Sequence, residues 1–192
     1  TRLLTNNVGR PFWSPQSTEI AYALNNNLYR LPIFGGQPTM ICPTGWFTGG
    51  GWMPDDQIFF ATMSEGLRRV AAKGGEAATV AELDVKKQEH AFVGASALPN
   101  GRGVLLYVWD QSHSFGVCTP DGARKQLYQL PQASFSTPVY APSGHVLFVR
   151  WDLDGQPDLW AFPFSLSKLE KTGEAFRVAA GAVLPSVAED GT

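Results

Sequence analysis

The stretch Tyr140-Ala141-Pro142-Ser143-Gly144 is one copy of a short turn that recurs along the chain and decides its fold. In each copy an apolar residue and a spacer precede a proline, and small polar residues or glycine follow it. Proline presets φ for the first corner of a turn, and Asp, Asn or Gly tolerates the next corner. The other copies are Trp13-Ser14-Pro15-Gln16-Ser17, Trp52-Met53-Pro54-Asp55-Asp56, Ala97-Leu98-Pro99-Asn100-Gly101 and a degenerate fifth, Val187-Ala188-Glu189-Asp190-Gly191.

The spacing of these turns gives the length of a repeating unit. Pro15, Pro54, Pro99 and Pro142 follow one another at intervals of 39, 45 and 43 residues. A short run rich in β-branched or aromatic residues follows each turn, which is typical of a buried strand. These runs are Ile20–Ala23, Ile58–Ala61, Val104–Val108 and Val146–Val149.

The proline turn joins a first strand to this apolar run, which is the second strand of the unit. Two further strands are predicted in each unit, and Gly-Gly or Asp-Gly turns join the third strand to the fourth in several units. The third strands are Leu28–Leu31, Leu67–Val70, Phe115–Cys118 and Leu159–Phe162. The fourth strands are Thr39–Cys42, Thr79–Ala81, Gln126–Tyr128 and Phe176–Val178. Four strands in about 40–45 residues predict a blade of an all-β propeller.

The phase of the repeat sets the expected organisation of the chain as a single β-propeller fragment. The approximate blades are 11–43, 44–83, 84–130 and 131–179, and 180–192 begins the next one. Leu3-Leu4-Thr5 is predicted to be the outer strand of a preceding blade. A blade buries its faces only against its neighbours. The sequence therefore predicts an arc of a propeller with six or more blades, cut from a longer protein.

Composition excludes some classes of function. The net charge is −2 with no clustered cations, which disfavours nucleic-acid binding. No apolar run approaches the roughly 18 residues of a membrane span, and no signal peptide opens the chain. The two cysteines, Cys42 and Cys118, are expected to be buried thiols, with a disulfide between them as the less favoured alternative.

Several segments carry a resemblance to a known family. They are Asn27–Pro38, Gly66–Glu76, Ala97–Tyr107, Tyr140–Arg150, and Leu159–Phe164 together with Thr172-Gly173-Glu174. The chain resembles the TolB-like and WD-like β-propellers attached to bacterial eukaryotic-like serine/threonine protein kinases. The resemblance implies a sensory or interaction domain, a protein, peptide or cell-envelope partner, and a periplasmic or extracytoplasmic location. The motifs of the kinase itself are absent from the chain.

The glycine-rich stretch Gly45–Trp52 is the most distinctive local feature. Trp46 and Phe47 lie between two blades, where they are predicted to form an aromatic platform at the mouth of the central channel. Packing of the Trp52 ring between blades is the alternative interpretation. His90 begins the first strand of its blade, so a ligand-facing role is proposed for it beside a purely structural one.

No catalytic, metal-binding or cofactor-binding residue is predicted. The chain has no Gly-x-Ser-x-Gly, His-x-His or His-Glu-x-x-His motif, and its paired carboxylates occur in turns. The loop Asp152–Asp158 lacks the spacing of an EF-hand, which leaves a weak calcium site as an alternative to a polar hairpin. The resulting hypothesis is a non-catalytic recognition scaffold. The alternatives are a substrate-gating propeller of a prolyl-oligopeptidase-type peptidase and a propeller hydrolase of sugars or lactones.

Overall fold

The computed structural model describes residues 9–129, 134–151, 155–182 and 185–187. The first sheet contains β1 (Gly9–Trp13), β2 (Glu19–Leu24), β3 (Asn27–Pro32) and β4 (Thr39–Pro43). The second contains β5 (Phe47–Trp52), β6 (Gln57–Thr62), β7 (Gly66–Ala71) and β8 (Ala78–Ala81). The third contains β9 (Ala91–Ala97), β10 (Val104–Trp109), β11 (Ser114–Cys118) and β12 (Arg124–Gln129). The fourth contains β13 (Ser134–Phe135), β14 (Val139–Ala141), β15 (His145–Trp151), β16 (Pro157–Ser165), β17 (Glu170–Lys171) and β18 (Phe176–Ala180).

Each of the first three sheets is antiparallel and pairs its four strands in chain order. The predicted all-β architecture of four-stranded antiparallel units is therefore confirmed. The part of the chain that the structure describes contains no α-helix, and its only helical element is one 3-10 turn, Val85–Lys87. No helix within those ranges is long and apolar enough to cross a membrane.

The fourth sheet departs from the simple repeat. Its first strand is split into β13 and β14, and both pieces pair with β15. Pro138 lies between the pieces and has no N–H with which to continue the ladder. The short strand β17 pairs with the end of β16 and was not predicted. The predicted strand Leu3-Leu4-Thr5 and most of the fifth turn lie outside the described residues.

The recurring proline turn closes in the same way in all four sheets. A backbone hydrogen bond spans three residues in each copy, from Ser17 N to Ser14 O (2.9 Å) in the first and from Gly144 N to Ala141 O (2.9 Å) in the last. Ser17 adopts φ 55°, close to the φ of 80° at Gly144. The turn therefore keeps its left-handed corner even where serine replaces glycine, at some conformational cost.

Apolar side chains fill the space between consecutive sheets. The cluster between the first two sheets contains Ile58, Phe60 and the ring of Trp52, which is only 7% exposed. A second cluster joins the second and third sheets, and an aromatic third cluster joins the third and fourth. Burying each large side chain stabilises the fold by about 1.5–3 kcal/mol. Cys42 and Cys118 are buried, unpaired thiols within these clusters, as predicted.

Candidate functional site

The first strands of successive sheets approach one another closely. A Cβ placed on Gly51 of β5 would lie 2.4 Å from the backbone nitrogen of Ala97 in β9. A Cβ on Gly49 would lie 2.8 Å from the nitrogen of Ala95. Only glycine permits such an approach of two backbones. β1, β5, β9 and residues 134–141 are therefore called the inner strands.

Three of the inner strands, β1, β5 and β9, each carry a β-bulge. In β5 the register passes from Phe47 to Gly49 while the partner strand advances by one residue, which leaves Thr48 as the extra residue. In β9 the same shift leaves Val93 unpaired. In β1 the irregularity lies between Gly9 and Phe12. A bulge frees the extra residue from the ladder and redirects its groups.

Arg10 occupies the bulge of β1 with a left-handed φ of 30°. Its Nη1 atom donates to the carbonyl oxygen of Thr48 at 2.6 Å and to that of Val93 at 2.9 Å. It also lies 2.7 Å from the hydroxyl oxygen of Thr137, between the two pieces of the fourth inner strand. One side chain of the first sheet thus contacts the other three sheets. Arg10, Thr48, Val93 and Thr137 are called the axial cluster.

The bulges explain why the axial cluster can form. The carbonyl groups of Thr48 and Val93 belong to the unpaired residues of two bulges, so the sheet ladder does not occupy them. Their partial negative charges attract the guanidinium. The unusual backbone of Arg10 costs about 1–3 kcal/mol and persists only when surrounding contacts hold it. Such strain is frequent at functional sites, which makes this position the strongest candidate site in the described residues.

The charge of Arg10 is not neutralised by the described residues. All three of its acceptors are carbonyl or hydroxyl oxygens, and no carboxylate in the described ranges forms an ion pair with it. Burial among these groups lowers the pKa of the guanidinium from its ordinary value through desolvation. Arg10 as a whole nevertheless remains exposed to solvent. A fixed cation therefore faces solvent at the start of the inner strands.

Two side-chain hydroxyl groups, those of Thr48 and Ser96, also connect the inner strands. The buried Thr48 hydroxyl donates to the carbonyl of Phe92 at 2.6 Å. The Ser96 hydroxyl donates to the carbonyl of Pro138. A Cβ on Gly94 would lie 2.1 Å from the Thr137 hydroxyl oxygen. The position of Thr137 against Arg10 therefore depends on the absence of a side chain at residue 94.

The three site residues predicted from sequence occur at the starts of two inner strands. Trp46 is 72% exposed, and its carbonyl accepts a hydrogen bond from Met63 N at 3.0 Å. Phe47 is half-buried, and its ring stacks on those of Phe12 (6.5 Å between centroids) and Phe60 (6.4 Å). Phe47 therefore packs between the first two sheets. Trp46 alone of this pair presents its side chain mainly to solvent.

His90 is exposed and lies immediately before β9. Its backbone N–H donates to the carbonyl of Trp109 at 2.7 Å, and its ring meets the Trp109 ring edge-on at 5.8 Å. Trp109 ends β10 and is 41% exposed. The structure thus brings His90 together with an aromatic residue that the sequence had not singled out. A ligand-contacting role for Trp46, Phe47 or His90 stays a prediction.

A second polar site, on the third sheet, provides a contrast. A small cavity of about 80 Å³ is lined by Glu89, Asp110 and Arg124 among others. The Glu89 carboxylate is nearly buried and pairs with Arg124 at 2.7 Å, while Arg124 also lies over the Phe92 ring. Glu89 accepts a further hydrogen bond from Asp84 N. These charges neutralise each other, so this pair has a structural role.

Within 9–129, 134–151, 155–182 and 185–187, no three His, Cys, Asp or Glu side chains lie where they could hold a metal ion. Three of the seven residues of the proposed calcium loop, 152–154, lie outside the described residues. Its last member, Asp158, instead pairs with Arg177 at 2.8 Å.

Sequence reasoning missed Arg10, the central residue of the site. Its acceptors lie 38, 83 and 127 residues away along the chain. The one available signal was that Arg10 is the single charged residue in the sequences of the four inner strands. That signal becomes visible only when those strands are correctly assigned.

Comparison with known proteins supports the fold. No protein-family model matches the chain, and no curated protein matches it. A gluconolactonase from Xanthomonas campestris is 11% identical, with a TM-score of 0.72 over 96% of this chain and 67% of the other. The calcium-binding protein regucalcin from Agrobacterium tumefaciens is 15% identical, with a TM-score of 0.68 over 88% of this chain and 58% of the other. A TolB candidate from the same organism is 15% identical, with a TM-score of 0.51 over 91% of this chain and 82% of the other.

These similarities establish the β-propeller fold predicted from the repeat, including its likeness to TolB propellers. At such identities they establish nothing finer, and the chain spans only 58–67% of the first two proteins. They also correct one expectation. The conclusion that the segment is not an enzyme is wrong, because a gluconolactonase uses the same fold. The missing triad and metal motifs do not exclude enzymatic activity on a propeller.

Proposed function

We propose that this chain is a recognition propeller that binds its ligand where the inner strands begin, around the axial cluster. The observation that supports this most strongly is Arg10, a cation fixed by groups from three other sheets and left without a carboxylate. Ligands commonly bind at positions where several elements of a rigid scaffold converge. The proposed partner is a protein, a peptide or a cell-envelope component, and the larger protein is proposed to be a bacterial signalling protein.

Exposed aromatic side chains support binding at this end of the molecule. Trp46 precedes β5 and Trp109 ends β10, so both lie at the end of their sheets where the inner strands start. Aromatic residues are enriched in the energetically important parts of binding surfaces. Phe34 is 88% exposed but lies in the β3–β4 turn. Because neighbouring strands alternate in direction, that turn is at the opposite end and supplies a matched control.

A selection from peptides displayed on phage tests the proposal. Peptides enriched on the wild-type chain are then measured against a double variant, Trp46→Ala with Trp109→Ala, and against Phe34→Ala. We expect the double variant to weaken binding at least about tenfold, as loss of aromatic contact residues does, while Phe34→Ala binds normally. Peptides that bind the double variant normally but lose affinity for Phe34→Ala would place the recognition surface at the other end and contradict the proposal.

Hydrolysis of a sugar lactone is the second candidate, and the similarity to a gluconolactonase is the observation in its favour. The test is hydrolysis of glucono-δ-lactone, followed with a pH indicator in the presence of Ca²⁺, Mn²⁺ or Zn²⁺. Turnover above the rate without protein, abolished by a chelator, would support it. A rate equal to that without protein for every ion would reject it for this chain.

A further inference from the structure

The inner strands carry a single formal charge. The inner strands are residues 9–13, 47–52, 91–97 and 134–141. Arg10 is the only Asp, Glu, Lys or Arg residue in these four segments. Their other side chains are glycine, small hydroxyl-bearing residues and apolar residues. Arg10 is exposed, and the carbonyl oxygens around Nη1 orient its guanidinium but leave the positive charge without a neutralising group among the described residues.

The contacts of Arg10 leave one particular edge of its guanidinium unused. All three hydrogen bonds of the Arg10 side chain to described residues involve Nη1, although that atom carries only two hydrogens. The described residues provide no hydrogen-bond partner for Nε or Nη2. These two atoms form the side edge of the planar group and present two parallel N–H donors. That geometry matches the two oxygens of a carboxylate.

Other arginines of the chain show what Arg10 lacks. Arg124 pairs with Glu89 at 2.7 Å, Arg177 with Asp158 at 2.8 Å, and Arg30 with Glu19 at 3.3 Å. Each of these carboxylates comes from the same sheet or the loop leading into it. No carboxylate on the inner strands can serve Arg10, since they carry none.

We infer that Arg10 binds a carboxylate group of the ligand through its Nε and Nη2 atoms. This inference rests on the proposed recognition function and gives its ligand a chemical class. The bonds to Thr48, Val93 and Thr137 hold the guanidinium in one orientation, so little rotational freedom remains to be lost on binding. Arg10 is exposed, so the cation is accessible to a ligand from solvent.

Calorimetric titration with succinate, at ionic strength held constant with sodium chloride, tests the inference. We expect saturable binding by the wild-type chain. Arg10→Met should weaken it at least about tenfold, the effect of losing one charged hydrogen-bonded pair, and Arg10→Lys should weaken it less. Arg102→Gln, at an exposed arginine of the Asn100 turn, serves as the matched control and should bind like wild type. Inorganic phosphate is titrated in parallel to separate carboxylate recognition from general anion binding.

Three results would overturn the inference: no saturable binding of succinate by the wild-type chain, unchanged binding by Arg10→Met, or phosphate binding as tightly as succinate. The first and third need no variant, so they hold even if Arg10→Met fails to fold. If peptide recognition requires Trp46 and Trp109 while succinate fails to bind, only the ligand class is wrong. If succinate binds and no peptide is selected, the proposed protein or peptide partner is wrong.

Discussion

The aromatic core between the third and fourth sheets and the axial cluster hold the molecule together in opposite ways. In the core, Phe115, Phe148 and Phe162 are fully buried, with ring centroids 4.9 Å apart for Phe115 and Phe148. In the axial cluster, Arg10 reaches carbonyl oxygens that bulges have released from strand pairing. The core derives stability from buried apolar area and tolerates no charge. The axial cluster places a charge where strand pairing is interrupted, which is where a ligand can bind.

The largest effect is expected in the aromatic core. Replacing Phe148 with alanine removes a ring that contacts four neighbouring aromatic rings and leaves a cavity. We expect the free energy of unfolding to fall by about 3–5 kcal/mol, measured by urea denaturation. Phe34→Ala removes a ring of the same size that is 88% exposed, and it should change stability by less than about 0.5 kcal/mol. Equal losses of unfolding free energy in Phe148→Ala and Phe34→Ala would show that the aromatic core does not contribute more to stability than an exposed ring.

A smaller effect is expected where the axial cluster depends on glycine. Gly94→Ala forces the Thr137 side chain away from its position against Arg10, because the new Cβ would lie 2.1 Å from the hydroxyl oxygen. The expected loss of stability is about 1–3 kcal/mol. Gly9→Ala is the matched control, since its Cβ would meet only ordinary contacts at 3.8 Å or more. A stable Gly94→Ala variant that still binds succinate normally would show that Thr137 does not position Arg10.

Arg10→Met is expected to cost about 1.5–2 kcal/mol, the lower part of the range for hydrogen bonds to charged groups, because the residue is exposed. The same urea titration measures it, with Arg102→Met as a control that should be neutral. The titration is repeated with succinate, which should raise the free energy of unfolding of the wild-type chain and of Arg102→Met. If succinate stabilised Arg10→Met by the same amount, the anion would bind at a site that does not include Arg10.

The smallest effect expected near neutral pH is that of the two cysteine thiols, which change the free energy of unfolding only at alkaline pH. Burial raises the pKa of the Cys42 and Cys118 thiols to about 11. Above the ordinary thiol pKa of 9.0 the unfolded chain loses these protons while the folded chain retains them, so stability should decline between pH 9 and 11. Cys42→Ala and Cys118→Ala should each make this decline shallower in urea titrations at successive pH values. An unchanged slope in both variants would show that the thiols do not contribute to it.

Sequence reasoning recovered the sheets better than the site. Runs such as Val104–Val108 are apolar and bounded by turn residues, so local pattern alone predicts them. The split inner strand around Pro138 has no such pattern, because its middle is interrupted by a bulge and a proline. Arg10 could not be found locally at all. Its acceptors come from three other sheets, and the bulges that expose them are determined by strand register rather than by residue type.

The Nε and Nη2 edge of Arg10 is proposed to be an open carboxylate site at the start of the inner strands. Nuclear magnetic resonance of the arginine Nε–H groups tests it most directly, with the Arg10 signal assigned by its loss in Arg10→Lys. As succinate is added, this signal alone should shift and saturate, while those of Arg124 and Arg177, already paired with carboxylates, stay in place. An Arg10 signal that does not move, or arginine signals that all move alike, would contradict carboxylate binding at this edge of Arg10.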